Sequence, residues 1–177
     1  VDDPLFPSQA FEAQGWRVHF HGQKSYNGVA LVSRAPLDDV RCGFVGELTD
    51  DAEALELGEQ KRVISALIDG VRVVNLYVPN GSSLTSDKYP YKLNWLTCLK
   101  RYLEQPMQRG EPLCVVGDFN IALEARDMHD PDRLSGGIMA SEAERQALQM
   151  ALESGLQDVF RVFEPDAGHW SWWDYRT

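Results

Sequence analysis

Asp118 and Asn120 stand two positions apart at the end of an apolar run, Leu113-Cys114-Val115-Val116-Gly117. A carboxylate offers hard oxygen to a divalent cation and can accept a proton, and an amide beside it can hold a phosphate or a water. Those residue types at that spacing suit a metal-dependent phosphoesterase. A second stretch, Asn75-Leu76-Tyr77-Val78-Pro79-Asn80-Gly81, carries a phenol to the point where Pro and Gly turn the chain. A phenol there can donate a hydrogen bond to an anionic oxygen. A third, His169-Trp170-Ser171-Trp172-Trp173-Asp174-Tyr175-Arg176, packs three indoles into four residues. Aromatic faces of this kind stack on bases and sugars or line an apolar pocket.

The elements that must position these groups are legible in outline. The run 113–116 reads as a buried strand with Cys114 in the core, and Gly117 frees the backbone where the strand ends. If the chain stays extended, Asp118 and Asn120 point to one side, because strand side chains repeat every second residue. The spacing predicts a hairpin from Arg62–Ile68 and Val71–Val78 across Asp69-Gly70. A helix is expected over Tyr91–Glu104, burying Trp95, Leu96, Leu99, Tyr102 and Leu103. Ser141-Glu142-Ala143-Glu144 fits a capping box opening a helix through Glu153, with Gly155 ending it and Ala147, Leu148, Ala151 and Leu152 as its buried stripe. A short helix over Ser8–Gln14 and strands over Trp16–Phe20 and Val29–Ser33 precede these. The acidic stretch Gly43–Gly58 reads as a solvated loop, and Ile121–Ala140 as a long functional loop. Hairpin-linked strands separated by helices imply an α+β fold on a largely antiparallel or mixed sheet.

The totals bound the partners. The chain has 177 residues, 44% hydrophobic and 25% charged, enough for one domain with a core. Net charge is -10. Taken alone that argues against a non-specific nucleic-acid binder, although a bound cation or a local basic groove alters the field a phosphate meets. Cys42, Cys98 and Cys114 form neither a disulfide framework nor a CxxC pair, which suits a reducing cytoplasm. No apolar run reaches membrane-spanning length and no signal peptide is visible; Val1 in place of Met suggests a chain that begins mid-protein. His19 and His21 alternate on a strand, but no third ligand has suitable spacing.

With these stretches in hand, the chain resembles the exonuclease III branch of the abasic-site endonucleases, within the endonuclease/exonuclease/phosphatase superfamily. The matching segments are His21-Gly22-Gln23-Lys24, Tyr26–Leu31, Arg62-Val63-Ile64, Asn75–Gly81, Gly117–Asn120 and Ser171–Arg176, in family order. The resemblance implies a four-layer α/β sandwich formed by residues 1–177 as one domain, lacking strands at both ends. The family's Gln-Glu-Thr and Ser-Asp-His motifs are not here, so the chain is expected to be an internal fragment carrying part of the catalytic set.

The resemblance also implies roles. Asp118 corresponds to the catalytic aspartate, Asn120 to the residue holding the phosphate or metal, and Tyr77 to the tyrosine on the scissile phosphate. Mg²⁺, with Mn²⁺ as the substitute, would sit at Asp118 and Asn120. Trp172 would wall the pocket for an extruded abasic sugar, and Arg62 and the Arg126–Gly137 loop would contact DNA. The substrate would be double-stranded DNA with abasic sites or 3′ ends, cut by a monomer that does not use a membrane. Taken singly, each residue has a plainer role: Asp118 and Asn120 in a turn, Tyr77 and the tryptophans in packing. Two other functions fit parts of the pattern: a superfamily phosphatase or sphingomyelinase, and a non-catalytic nucleic-acid-binding fragment.

Overall fold

Alternating apolar residues and tight turns build most of the first of two compact units in the computed structural model, which describes residues 2–25 and 27–171. That unit comprises residues 1–78 and 98–119, and the second 79–97 and 120–177. In chain order the first half of the sequence forms α1 (Ser8–Glu12), β1 (Arg17–Gly22), β2 (Gly28–Ser33), β3 (Asp38–Cys42), α2 (Ala52–Gly58), β4 (Val63–Ile68) and β5 (Val71–Tyr77). There follow α3 (Lys88–Gln108), β6 (Leu113–Asp118), α4 (Pro131–Leu134), α5 (Glu142–Leu152) and α6 (Val159–Phe163).

β1 and β2 pair antiparallel, and β3-β4-β5-β6 form a mixed sheet in that order. The β4–β5 hairpin closes as the sequence requires: Ile68 opposes Val71, and Asp69 and Gly70 both have positive φ, 50° and 82°. Two consecutive positive φ angles match the right-handed twist of the flanking strands. β5 and β6 run parallel, which requires a crossover, and α3 supplies it.

The core of the first unit lies where β2 meets the larger sheet. Val29, Leu31, Ile64 and Ala66 are buried there, with Val73 and Tyr77 packed against them. Each buried Val, Leu or Ile contributes roughly 1.5–3 kcal/mol over exposure. α3 carries the expected face: Trp95, Leu96, Leu99, Tyr102 and Leu103 are all buried. Tyr102 packs edge-on against Phe44 at 5.7 Å and donates to Ser65 Oγ at 3.1 Å.

Two expectations fail. The stretch 43–58 is not a solvated loop. Asp51 caps α2 by accepting from the Ala54 N–H, and Phe44, Ala54 and Leu57 are buried. Three of its carboxylates are paired rather than merely solvated: Asp51 and Glu53 accept from Arg101, and Glu47 from Arg41 and Arg109. An apolar residue every third or fourth position was masked by the density of acids around it. Nor is β6 a buried strand. Among the described residues no strand pairs with its outer edge, Val116 is 41% exposed and Cys114 is exposed, because one face of the strand is left uncovered.

Beneath the sheet, Arg72 is 1% exposed and donates to Asp39 Oδ2 at 2.5 Å and Glu111 Oε2 at 3.2 Å. Hydrogen bonds from Arg41 and Arg72 hold the Asp39 carboxyl below the usual carboxylate range, and bonds from Arg109 and Arg72 do the same for Glu111. The unfolded chain therefore binds more protons in acid than the folded one. The stabilisation is present above the ordinary carboxylate range, near pH 4, and is lost as pH falls through the lowered folded values. Thermal melts across pH 6 to 3 should show the midpoint falling only at the acid end, and a flat profile would count against this network.

Candidate active site

β5 and β6 end together, and their ends carry Tyr77 and Asp118, two of the residues singled out by the sequence. In the parallel register Tyr77 opposes Asp118 and Leu76 opposes Gly117. The Val78 N–H donates to the Asp118 carbonyl at 2.9 Å, extending the ladder one residue past Tyr77. Gly117 is required rather than convenient: its φ is 123°, and a Cβ there would lie 2.0 Å from the Leu76 carbonyl oxygen. Asp118 ends β6 on its exposed stretch, where a carboxylate can meet water and substrate.

Tyr77 is braced by Arg62. The guanidinium carbon sits 4.8 Å from the phenol ring centroid, and Nη1 donates to the Tyr77 carbonyl at 3.1 Å. The Tyr77 N–H in turn donates to the Arg62 carbonyl at 2.9 Å. Nε donates to Gln60 and Nη2 to Asn27, both at 2.8 Å. The residue expected to contact DNA is thus also a stack and a set of hydrogen bonds that fix the tyrosine's position.

Asn120 belongs to the second unit. Its φ is 48°, so the chain does not stay extended past Asp118 and the strand alternation that would set both side chains on one face ends there. Asn tolerates this left-handed conformation better than most residues. Asn80 donates from Nδ2 to Asn120 Oδ1 at 3.1 Å, and Lys92 Nζ donates to the Asn120 carbonyl at 2.7 Å. Asn80 Oδ1 also accepts from the Ser82 N–H at 3.2 Å, which fixes that turn.

The structure therefore brings together Tyr77, Asp118 and Arg62 in the first unit, and Asn120 with Asn80 and Lys92 in the second. Asn80 and Lys92 escaped the reading of the sequence, although both left a signal. Asn80 lies inside the quoted Asn75–Gly81 motif. Lys92 stands three and four residues before Trp95 and Leu96, on the helix face that is buried.

Trp172 lies outside the described residues, as do Trp173 and Tyr26. Trp170 is 37% exposed and meets His129 edge-on at 6.0 Å. In the 126–137 loop, Arg126 donates to the Pro165 carbonyl at 2.5 Å and to Glu124 at 2.7 Å. A cavity of about 400 Å³ in the first unit is lined by His21, Cys42, Glu59 and Lys61 but by neither Tyr77 nor Asp118. Burial and the neighbouring Lys61 hold His21 below its ordinary pKa.

Among the described residues no three His, Cys, Asp or Glu side chains cluster as a ready cage. The donor set at the sheet end is the Asp118 carboxylate. That fits Mg²⁺, which takes one or two carboxylates together with phosphate oxygens and keeps several waters.

The fold and these strand ends define a class, and comparison with known proteins gives it a name. The endonuclease/exonuclease/phosphatase family model matches residues 2–177, and the chain belongs to that family. It is 33% identical over 189 residues to exodeoxyribonuclease III of Haemophilus influenzae, covering 100% of this chain and 68% of that protein. Among solved structures, the Neisseria 3′ phosphatase NExo bound to a product DNA hairpin superposes with TM-score 0.89 at 40% identity, over 99% of this chain and 65% of that one. An AP endonuclease from Archaeoglobus fulgidus superposes with TM-score 0.89 at 35% identity, over 100% of this chain and 65% of that one. The chain thus spans about two thirds of the length of these relatives.

Proposed function

We propose that the protein carrying this chain is a metal-dependent DNA-repair phosphodiesterase. It would cut the backbone 5′ to abasic sites and remove nucleotides from 3′ ends of duplex DNA. The observation that carries this reading is the parallel register that sets Tyr77 opposite Asp118 at the sheet end, in a chain similar to exodeoxyribonuclease III.

The chemistry follows from the groups present. Water adds to phosphorus while the bond to the 3′ oxygen breaks, leaving a 3′-hydroxyl and a 5′-phosphate. Asp118 orients that water and takes its proton. The Tyr77 phenol donates to a non-bridging phosphate oxygen as charge accumulates there. Asn120, whose Oδ1 accepts from Asn80, contributes amide N–H donors of the kind a phosphate oxygen accepts. Mg²⁺, or Mn²⁺ in its place, would be held by Asp118 and would neutralise charge on the phosphate. Trp172 would wall the pocket for the extruded abasic sugar, which costs least to unstack at a damaged position. The free thiols of Cys42, Cys98 and Cys114 accord with a reducing cytoplasm.

A 3′-phosphate on duplex DNA is a second substrate with a specific reason behind it, since the Neisseria relative is described as a 3′ phosphatase. The same groups would act, with the terminal phosphorus as the centre attacked.

The test is incision of a duplex with one abasic site by the full-length protein, with Mg²⁺ and with chelator, beside a duplex ending in 3′-phosphate. Metal-dependent cleavage 5′ to the lesion supports the reading. Release of inorganic phosphate alone moves it to the phosphatase, and no product from either substrate removes it. Tyr77→Phe deletes only the donor: kcat should fall about 10²-fold with KM nearly unchanged, and an unaffected kcat would leave Tyr77 a packing residue.

A further inference from the structure

Lys92 and Glu144 form an ion pair in the second unit, and both side chains are 0% exposed. Lys92 Nζ lies 2.5 Å from Glu144 Oε1, 2.7 Å from the Asn120 carbonyl and 3.3 Å from the Asn80 carbonyl. Glu144 completes its own set: Oε1 accepts from the Met139 N–H at 3.0 Å, and Oε2 from the Ser141 N–H at 3.0 Å and Ser141 Oγ at 2.6 Å. The second function of Glu144, as the third helical residue of the α5 capping box, accounts for the Ser141 contacts but not for the lysine.

A buried ion pair is weak as a source of stability. Taking both charges out of water costs as much as their attraction returns, and apolar replacements of similar volume are often neutral or stabilising. The geometry suggests what the pair does instead. An ammonium has three N–H donors, and the acceptors it meets among the described residues include the carbonyls of Asn80 and Asn120. These are the same two residues whose side chains are joined by the Asn80 Nδ2 to Asn120 Oδ1 bond. Asn120 sits at φ 48°, a left-handed conformation that Asn reaches more readily than most residues and that the bond from Lys92 to its carbonyl helps hold.

We propose that Lys92, kept in place by Glu144, is a positioning residue for Asn120. It clamps the Asn80 and Asn120 carbonyls so that the side-chain bond between them forms. That bond fixes which end of the Asn120 amide donates to phosphate. The proposal rests on the functional reading above and extends it to residues that touch no substrate.

The test replaces the pair by apolar side chains, Lys92→Met with Glu144→Leu, in the full-length protein. Lys92→Met alone leaves a buried carboxylate without its cation and should melt several degrees lower; the double variant should recover most of that loss. Positioning predicts that kcat on the abasic duplex stays at least 10-fold down in the double variant while KM moves less than threefold. A double variant with parental melting and kcat within twofold of the parent makes the pair structural only and overturns the proposal.

Glu144→Gln is the milder probe, keeping shape and reach while removing the charge. It should lower kcat at least fivefold, and parental kcat again overturns the proposal. The side-chain amide NMR resonances of Asn80 and Asn120 give a readout independent of activity. They should move toward solvent-exposed values in the double variant, and unchanged resonances overturn the proposal even if the protein cleaves no DNA. Asp118→Asn and the parent run alongside: parental activity in Asp118→Asn removes Asp118 from the mechanism, no product from the parent protein defeats the nuclease reading, and in either case the NMR result decides Lys92.

Discussion

Asp118→Asn should lower kcat for abasic-site incision by about 10³–10⁴-fold, toward the upper end of what a positioned general base contributes. The substitution is isosteric and keeps hydrogen-bonding capacity, but an amide cannot take a proton from water and is a poorer ligand for a hard cation. Asp118 ends an exposed stretch of β6, and its backbone pairing to Val78 does not depend on the side chain. Because Asn preserves the shape and hydrogen-bonding reach of the side chain, the unfolding free energy should change by about 0.5 kcal/mol or less. Raising Mg²⁺ separates the two roles. Recovery of rate at high metal assigns the loss to ion binding, and no recovery assigns it to the missing base. A folded variant with parental kcat would return Asp118 to the plainer role of a turn residue and remove the centre of the proposed mechanism.

Gly117→Ala should have the largest effect on folding. An added Cβ would meet the Leu76 carbonyl oxygen at 2.0 Å and Asn75 Oδ1 at 2.8 Å, at a φ of 123°. The first of these is backbone in the paired strand, so relief requires β5 and β6 to separate where they align Tyr77 with Asp118. A loss above about 4 kcal/mol is expected, in the range reserved for a specific steric or buried-polar fault. Gly110→Ala is the matched control. Its φ is 71°, but nothing lies within 4 Å of the added carbon. It should cost only the left-handed backbone penalty of about 1–2 kcal/mol. Equal melting midpoints for the two variants would show that conformational strain, and not close approach of the strands, is what Gly117 relieves.

The residues read from the sequence and those revealed by the fold differ in a physically instructive way. The Asp69-Gly70 hairpin and the α5 capping box were legible because each depends on dihedrals or hydrogen bonds among residues a few positions apart. The buried face of α3 was legible because its 3.6-residue period is written in Trp95, Leu96, Leu99 and Leu103. Glu47, Asp51 and Glu53 differ from the solvated expectation, because whether a carboxylate is solvated or paired depends on arginines at positions 41, 101 and 109. The exposure of β6 was missed for a related reason. An apolar run records what a strand can bury, not what arrives to cover it.

Local sequence supplies the chemical groups, Tyr77, Asp118 and Asn120, within motifs whose order along the chain points to one family, together with the hairpin that carries Tyr77. How those groups are held follows from packing between distant segments. The parallel register opposes Tyr77 to Asp118, Arg62 stacks on the tyrosine, and a buried Lys92–Glu144 pair grips the backbone of Asn80 and Asn120. These contacts join residues up to 52 positions apart. Local sequence encodes backbone preference and amphipathic period, whereas the partner of a buried charge or a strand end is chosen only when distant segments pack together and must satisfy one another's hydrogen bonds.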